Sequence, residues 1–147
     1  MTRSEATHRI LEAKDSKGFT FEKIAQAAGR STVWTTAALL GQATMSKEES
    51  ERTVESLGLG ADVAEALRQI PLKGSLHETV PVDPLIYRFH EITQVYGTTL
   101  KALIHEMFGD GIMSAIDFTM DIERVPDAYG DRVKVTYNGK FLPYKKW

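Results

Sequence analysis

The chain contains no cysteine. Disulfides, thiolate metal sites and thiol nucleophiles are therefore excluded, and the absence accords with a reducing, cytoplasmic setting. Basic charge is not in excess either: 18 Lys plus Arg stand against 20 Asp plus Glu, a formal net charge of −2. Without surplus positive charge to neutralise phosphates or anionic lipid, neither nucleic acid nor a membrane surface is an expected partner. Apolar runs long enough to span a bilayer, about 18 residues, are missing. The opening MTRSEATHRILEAKDSKG scatters charges where a secretion signal would carry an apolar stretch, so secretion is not expected. No internal repeat or low-complexity tract is present.

What remains is the composition of a folded protein. Hydrophobic residues make up 42% and charged residues 26%, inside the globular range and away from the disordered one. The 147 residues suffice for one ordinary domain or two small ones. A chain of that size buries roughly two thirds of its unfolded surface without needing covalent staples.

The first half patterns as short helices. Ile10, Leu11 and Ala13 suggest a helix ending near Gly18. Thr20 is a candidate cap for a helix over 21–28 with Ile24, Ala25 and Ala28 on one face, stopped by Gly29. A helix from Ser31 or Thr32 to Leu40 follows, with Gly41 after it. Ser46 and Glu49 form a capping box for a helix closed by Gly58, and another helix runs from Ala61 to about Gln69, with Val63, Ala66, Leu67 and Ile70 spaced for burial. PLKGSLHETVPVDP, with three prolines, a glycine and a serine, is the candidate connection between domains of residues 1–75 and 76–147.

FTFEKIAQAAGRSTVWTTAALLGQ has the order of a helix-turn-helix, which in a DNA-binding regulator would place residues 32–40 in the major groove. The same packing can serve as scaffold alone, and charge favours that. Residues 1–75 carry ten Lys plus Arg and ten Asp plus Glu, and between Ser31 and Ser46 only Gln42 could read a base edge bidentately. A regulator with a C-terminal dimerisation half remains the rival in a different class, one that needs a basic reading face.

In the second half, Asp83-Pro84 is a helix start, followed by Leu85, Phe89, Ile92 and Tyr96 at helical spacing. The helix is expected to stop at Gly97, with a second one capped by Thr98 or Thr99 and broken around Gly109 and Gly111. After Ser114 the period becomes two: Phe118, Met120 and Ile122 alternate with polar residues, as do Val133, Val135 and Tyr137 beyond a turn over 126–130. Asn138-Gly139 is a strong hairpin-turn signal, and KFLPYKKW is expected as a short edge. The fold class is α+β. So few strands leave open edges and an uncovered face, which points to a homo-oligomer.

Three residue types in the second half could carry chemistry. Arg88 and Glu91 are three apart on one helix, ordinarily a weak surface pair. Here they sit beside Tyr87, Phe89 and Tyr96, where a guanidinium can act as a fixed receptor for small oxyanions. Ser114 follows the turn Gly109-Asp110-Gly111 in the context GIMSA, which lacks the G-x-S-x-G elbow, so hydrogen bonding to an anion suits it better than nucleophilic attack. His8, His77, His90 and His105 show no metal-ligand spacing, and Gly109-Asp110-Gly111 lacks the Lys-Ser/Thr of a phosphate loop.

YRFHEITQVYGTTLKALIHEMFGDGIMSAIDF resembles the signature of the cyanase (cyanate hydratase) family. GRSTVWTTAALLGQ, the Asp-Pro start and the closing NGKFLPYK are similar to the same family, so the resemblance spans nearly the whole chain. It implies catalytic roles for Arg88, Glu91 and Ser114, and bicarbonate-dependent decomposition of cyanate through a carbamate to ammonia and carbon dioxide, without cofactor or metal. It also implies an intertwined dimer built into a decamer of five dimers, with active sites between subunits. On this view the N-terminal bundle is scaffold, and Glu91 positions Arg88 or shuttles a proton.

Overall fold

The structure, a computed structural model, describes residues 1–74, 76 and 78–145. Five short helices come first: α1 (Arg3–Ser16), α2 (Phe21–Ala28), α3 (Thr32–Leu39), α4 (Lys47–Leu57) and α5 (Ala61–Arg68). A long helix, α6 (Pro84–Phe108), precedes β1 (Gly111–Val125) and β2 (Arg132–Pro143), which pair as one two-stranded sheet. The chain divides into two compact units, one of Met1–Ser75 with Asp121–Lys134 and one of Leu76–Met120 with Val135–Trp147.

Within the first unit the helix boundaries follow local chemistry. Thr2, Thr20, Ser31 and Ser46 each accept a hydrogen bond from an orphan amide in the first turn, and Thr2–Glu5 and Ser46–Glu49 close complete capping boxes. Gly29 and Gly58 end α2 and α4 in the left-handed region at φ 77° and 68°, where a Cβ would be strained. Ile10, Ile24, Leu39, Leu57, Val63 and Leu67 then meet in a core at 0–1% exposure. Ile70 does not join it and is 90% exposed, because α5 stops at Arg68, two residues before the apolar periodicity does.

Two arginines tie helix ends together. Arg3 donates to the carbonyls of Ala38, Ala43 and Ala66, at 2.8, 2.8 and 3.0 Å, and Arg52 donates to Ala28 at the end of α2 at 2.7 Å. Cationic donors there satisfy carbonyls left over by the helices and oppose the negative end of the dipole.

Acid should loosen this unit. The backbone amide of Thr2 holds the Glu5 carboxyl below its ordinary range, as the Arg9 side chain does for Asp62 at 2.7 Å. A carboxylate whose folded pKa is depressed contributes stability above its unfolded pKa and loses it as pH falls through the folded one. Thermal unfolding followed by circular dichroism should therefore show a lower midpoint near pH 3 than near pH 6. Glu5→Gln with Asp62→Asn should flatten that slope, and an unchanged slope in the double variant contradicts the assignment.

The C-terminal half of the chain departs from sequence expectation in three ways. Helix α6 runs unbroken through Gly97, whose φ is not positive. A glycine inside a helix costs roughly 1 kcal/mol against alanine. Ending the helix there would orphan a full set of backbone groups, which costs more. Asn138-Gly139 makes no turn and lies inside β2, since the reversal is already made over 126–131. Strand β1 begins at Gly111, so Ser114 is inside it. Phe118 and Met120 are half-buried as the alternation predicts, whereas Ile122 is exposed. Of the expected C-terminal edge, residues 140–143 belong to β2, and residues 146–147 lie outside the described ones.

No residue of α6 is buried within the chain, and Leu85, Phe89, Ile92, Tyr96, Leu103 and Met107 all stand exposed along it. Among the described residues, no helix is long and apolar enough to cross a membrane.

Candidate active site

The Arg88–Glu91 pair is placed by the start of α6. Pro84 occupies the first turn, where its missing N–H costs nothing, and the Asp83 side chain accepts from the amides of Leu85 and Ile86, both at 2.9 Å. One turn later Arg88 Nη1 donates to Glu91 Oε2 at 3.3 Å, and the guanidinium lies 5.5 Å from the Tyr87 ring centre. The two side chains are 61% and 50% exposed. An open pair of this length stabilises the helix by about 0.2–0.5 kcal/mol. Among the described residues Glu91 is the one hydrogen-bond partner of Arg88, so most of the guanidinium's five donors are uncommitted.

Ser114 is set by a different region. Helix α6 ends where Gly109 enters the positive-φ region at 88°. The turn is then held on both sides: His105 Nε2 donates to the Gly111 carbonyl at 3.1 Å, and the Tyr144 amide donates to the Asp110 carbonyl at 3.1 Å. Phe108 stacks on Phe141 of β2 at 5.0 Å between ring centres. Ser114 itself is 5% exposed, whereas Arg88 and Glu91 are open. Its Oγ accepts from the amides of Ile116 at 3.1 Å and Asp117 at 2.9 Å. A serine oxygen has two lone pairs and one proton. With both lone pairs engaged by backbone, the remaining capacity of Ser114 is to donate.

The structure thus brings Arg88 and Glu91 together and leaves Ser114 apart from them. From Arg88 to the end of α6 is about 30 Å of helix at 1.5 Å per residue. Ser114 lies just beyond that far end, and among the described residues no hydrogen bond joins it to Arg88 or Glu91. Two groups that would serve one small anion therefore stand at opposite ends of a helix.

Sequence reasoning did not identify His105 as the clamp on the Ser114 turn, nor the closeness of β2 to Ser114. His105 is one of four scattered histidines in the sequence, and only the folded turn shows that its ring reaches the Gly111 carbonyl. Among the described residues no three His, Asp or Glu side chains gather as for a metal ion, and His77 lies outside them. In the helical unit, Thr32, Val33 and Thr36 of α3 line a cleft of about 450 Å³ with Phe21, Asp121 and Ile122. Helix α3 itself carries no charged side chain, and the charged residue lining this cleft is the acidic Asp121.

Both halves of the chain match known proteins. Residues 3–71 match the family described as "Cyanate hydratase, N-terminal", and residues 78–146 match "Cyanate lyase C-terminal domain". The chain is 53% identical over 147 residues to a protein of Acaryochloris marina named cyanate hydratase, all of both chains being covered. It is 56% identical over 144 residues to a cyanate hydratase of Synechocystis sp., covering 98% of this chain and 96% of that one. Among solved structures, a cyanase from T. urticae is similar at TM-score 0.84 and 42% identity, covering 94% of this chain and 96% of that one.

Proposed function

The chain belongs to the cyanate hydratase family of lyases, and on that premise we propose that it decomposes cyanate with bicarbonate as co-substrate, in an anion site completed between subunits. The observation that carries this is the match of both halves, end to end, to one family. The geometry of the candidate residues supports it independently.

Cyanate and bicarbonate are both anions, and joining them gives a dianionic adduct. With one proton the adduct breaks to carbamate and carbon dioxide, and with a second the carbamate gives ammonia and carbon dioxide. The obstacle is mutual repulsion, which fixed positive charge and pre-aimed donors relieve in a site of few waters. Arg88 supplies the charge, with most of its donors free. Ser114, whose hydroxyl has only its proton left to offer, orients one anion rather than attacking it. Glu91 holds the guanidinium through its 3.3 Å contact and is the nearest carboxyl to pass the proton.

The separation of Arg88 from Ser114 along α6 supports a site built from more than one copy. So do the unburied apolar length of that helix and the open two-stranded sheet, and an intertwined dimer assembled into a decamer satisfies all three. No metal or cofactor takes part in this scheme, and a cytoplasmic location suits it. The neutral helical unit acts as scaffold, its uncharged α3 supporting that role over DNA binding.

Purified protein supplied with cyanate and bicarbonate should release ammonia well above the uncatalysed rate. Release no faster than in buffer overturns the proposal.

A further inference from the structure

Asn138-Gly139 has the composition of a hairpin turn and is spent on none. Its backbone does not require glycine either, because Gly139 is not among the positive-φ residues. The reason for a glycine is therefore space. A Cβ built at position 139 would lie 2.6 Å from Met113 Cγ and would overlap the carbonyl oxygen of Ser114. The methionine is flexible and can swing away. A peptide carbonyl in the middle of a paired strand cannot.

Gly111, three residues before Ser114, shows the same feature from the other strand. A Cβ there would meet the Leu142 carbonyl, lie 2.6 Å from the Phe141 ring and 2.9 Å from Pro143 Cα. The two strands thus press main chain against main chain at Ser114 and again three residues before it, through one glycine on each. The peptide so held belongs to the residue whose Oγ closes back onto the amides of Ile116 and Asp117. Moving its carbonyl moves the hydroxyl and that small hydrogen-bonded ring together.

We propose that Gly139 is a positioning residue for the reaction: its missing side chain lets β2 lie against the Ser114 peptide and so aims the Ser114 hydroxyl at its anion. The inference rests on the proposed donor role of Ser114. Gly139 touches no reacting atom and acts through Ser114 alone, which makes the two residues energetically one unit.

A double-mutant cycle on the full-length assembled protein separates this from simple destabilisation. Ser114→Ala and Gly139→Ala should each lower kcat/KM for cyanate on the order of tenfold or more, with assembly by light scattering unchanged. The double variant should be no worse than Ser114→Ala. Losses that multiply in the double variant, or a fully active Gly139→Ala beside an impaired Ser114→Ala, overturn the role of Gly139 and leave that of Ser114 standing. A fully active Ser114→Ala overturns both. If Gly139→Ala does not assemble, the glycine is assigned to folding alone and the inference is overturned.

Discussion

Arg88→Leu should abolish detectable turnover of cyanate while the protein still folds and assembles. The two halves of that expectation come from the same observation. The Arg88 side chain is 61% exposed, and its ion pair with Glu91 is a single 3.3 Å contact, so removing it costs the helix a few tenths of a kcal/mol at most. Leucine keeps helix propensity and much of the aliphatic volume. What disappears is the one positive charge among the candidate groups, at the point where the proposed function has two anions become a dianion. Donors and charges aimed at developing negative charge each contribute about 10²–10³ to rate when water is excluded, and here one guanidinium supplies several donors together. Ammonia release should therefore fall by at least that factor, with the circular dichroism spectrum and the particle mass in solution unchanged. Activity within about threefold of the parent, in an assembled variant, removes Arg88 from the mechanism.

That Arg88 and Glu91 share a helix face could be read directly from their spacing after Asp83-Pro84, because caps and periodicity act over a few residues and leave their mark in sequence. The same holds for Thr20, Ser31 and Ser46, each of which caps the helix its spacing predicts. The misjudged glycines are Gly97 and Gly139, whereas the break around Gly109 and Gly111 falls where the sequence puts it. Gly97, Gly111 and Gly139 look alike in a string of letters, yet one is carried inside a helix and two permit strands to touch. A glycine's meaning depends on its φ and on what lies opposite, and neither is local information. Asn138-Gly139 shows the limit most plainly: its turn propensity is real, but the chain has already reversed over 126–131, and the pairing of β1 with β2 overrides it.

The proposed donor role of Ser114 was also only partly legible. GIMSA rules out the nucleophile elbow, but whether the hydroxyl accepts or donates depends on where its lone pairs go. The amides of Ile116 and Asp117 settle that locally, two and three residues further along the strand. The assignment of Arg88, Glu91 and Ser114 to one site came from family resemblance rather than from spacing. The structure explains why spacing could not have supplied it. With about 30 Å of helix between them, the arginine and the serine of one chain do not converge, and the relation between copies proposed to unite them leaves no mark in the linear order of one.

The central claim is that this chain joins two anions rather than simply adding water to one. Plain hydrolysis of cyanate would need a general base to activate water, and the candidate groups offer a guanidinium, a carboxylate bound to it and a serine with no free lone pair. A guanidinium with most of its donors open is instead suited to gather charge, and under the proposed function bicarbonate supplies the nucleophilic oxygen that water would otherwise provide. Removing bicarbonate should therefore stop the reaction, whatever the cyanate concentration. The direct measurement is initial ammonia release from saturating cyanate in carbon-dioxide-free buffer, repeated as bicarbonate is titrated back. The account predicts a rate near zero at the start that rises to saturation, with two molecules of carbon dioxide formed per ammonia. A rate indifferent to bicarbonate, or one carbon dioxide per ammonia, would contradict it.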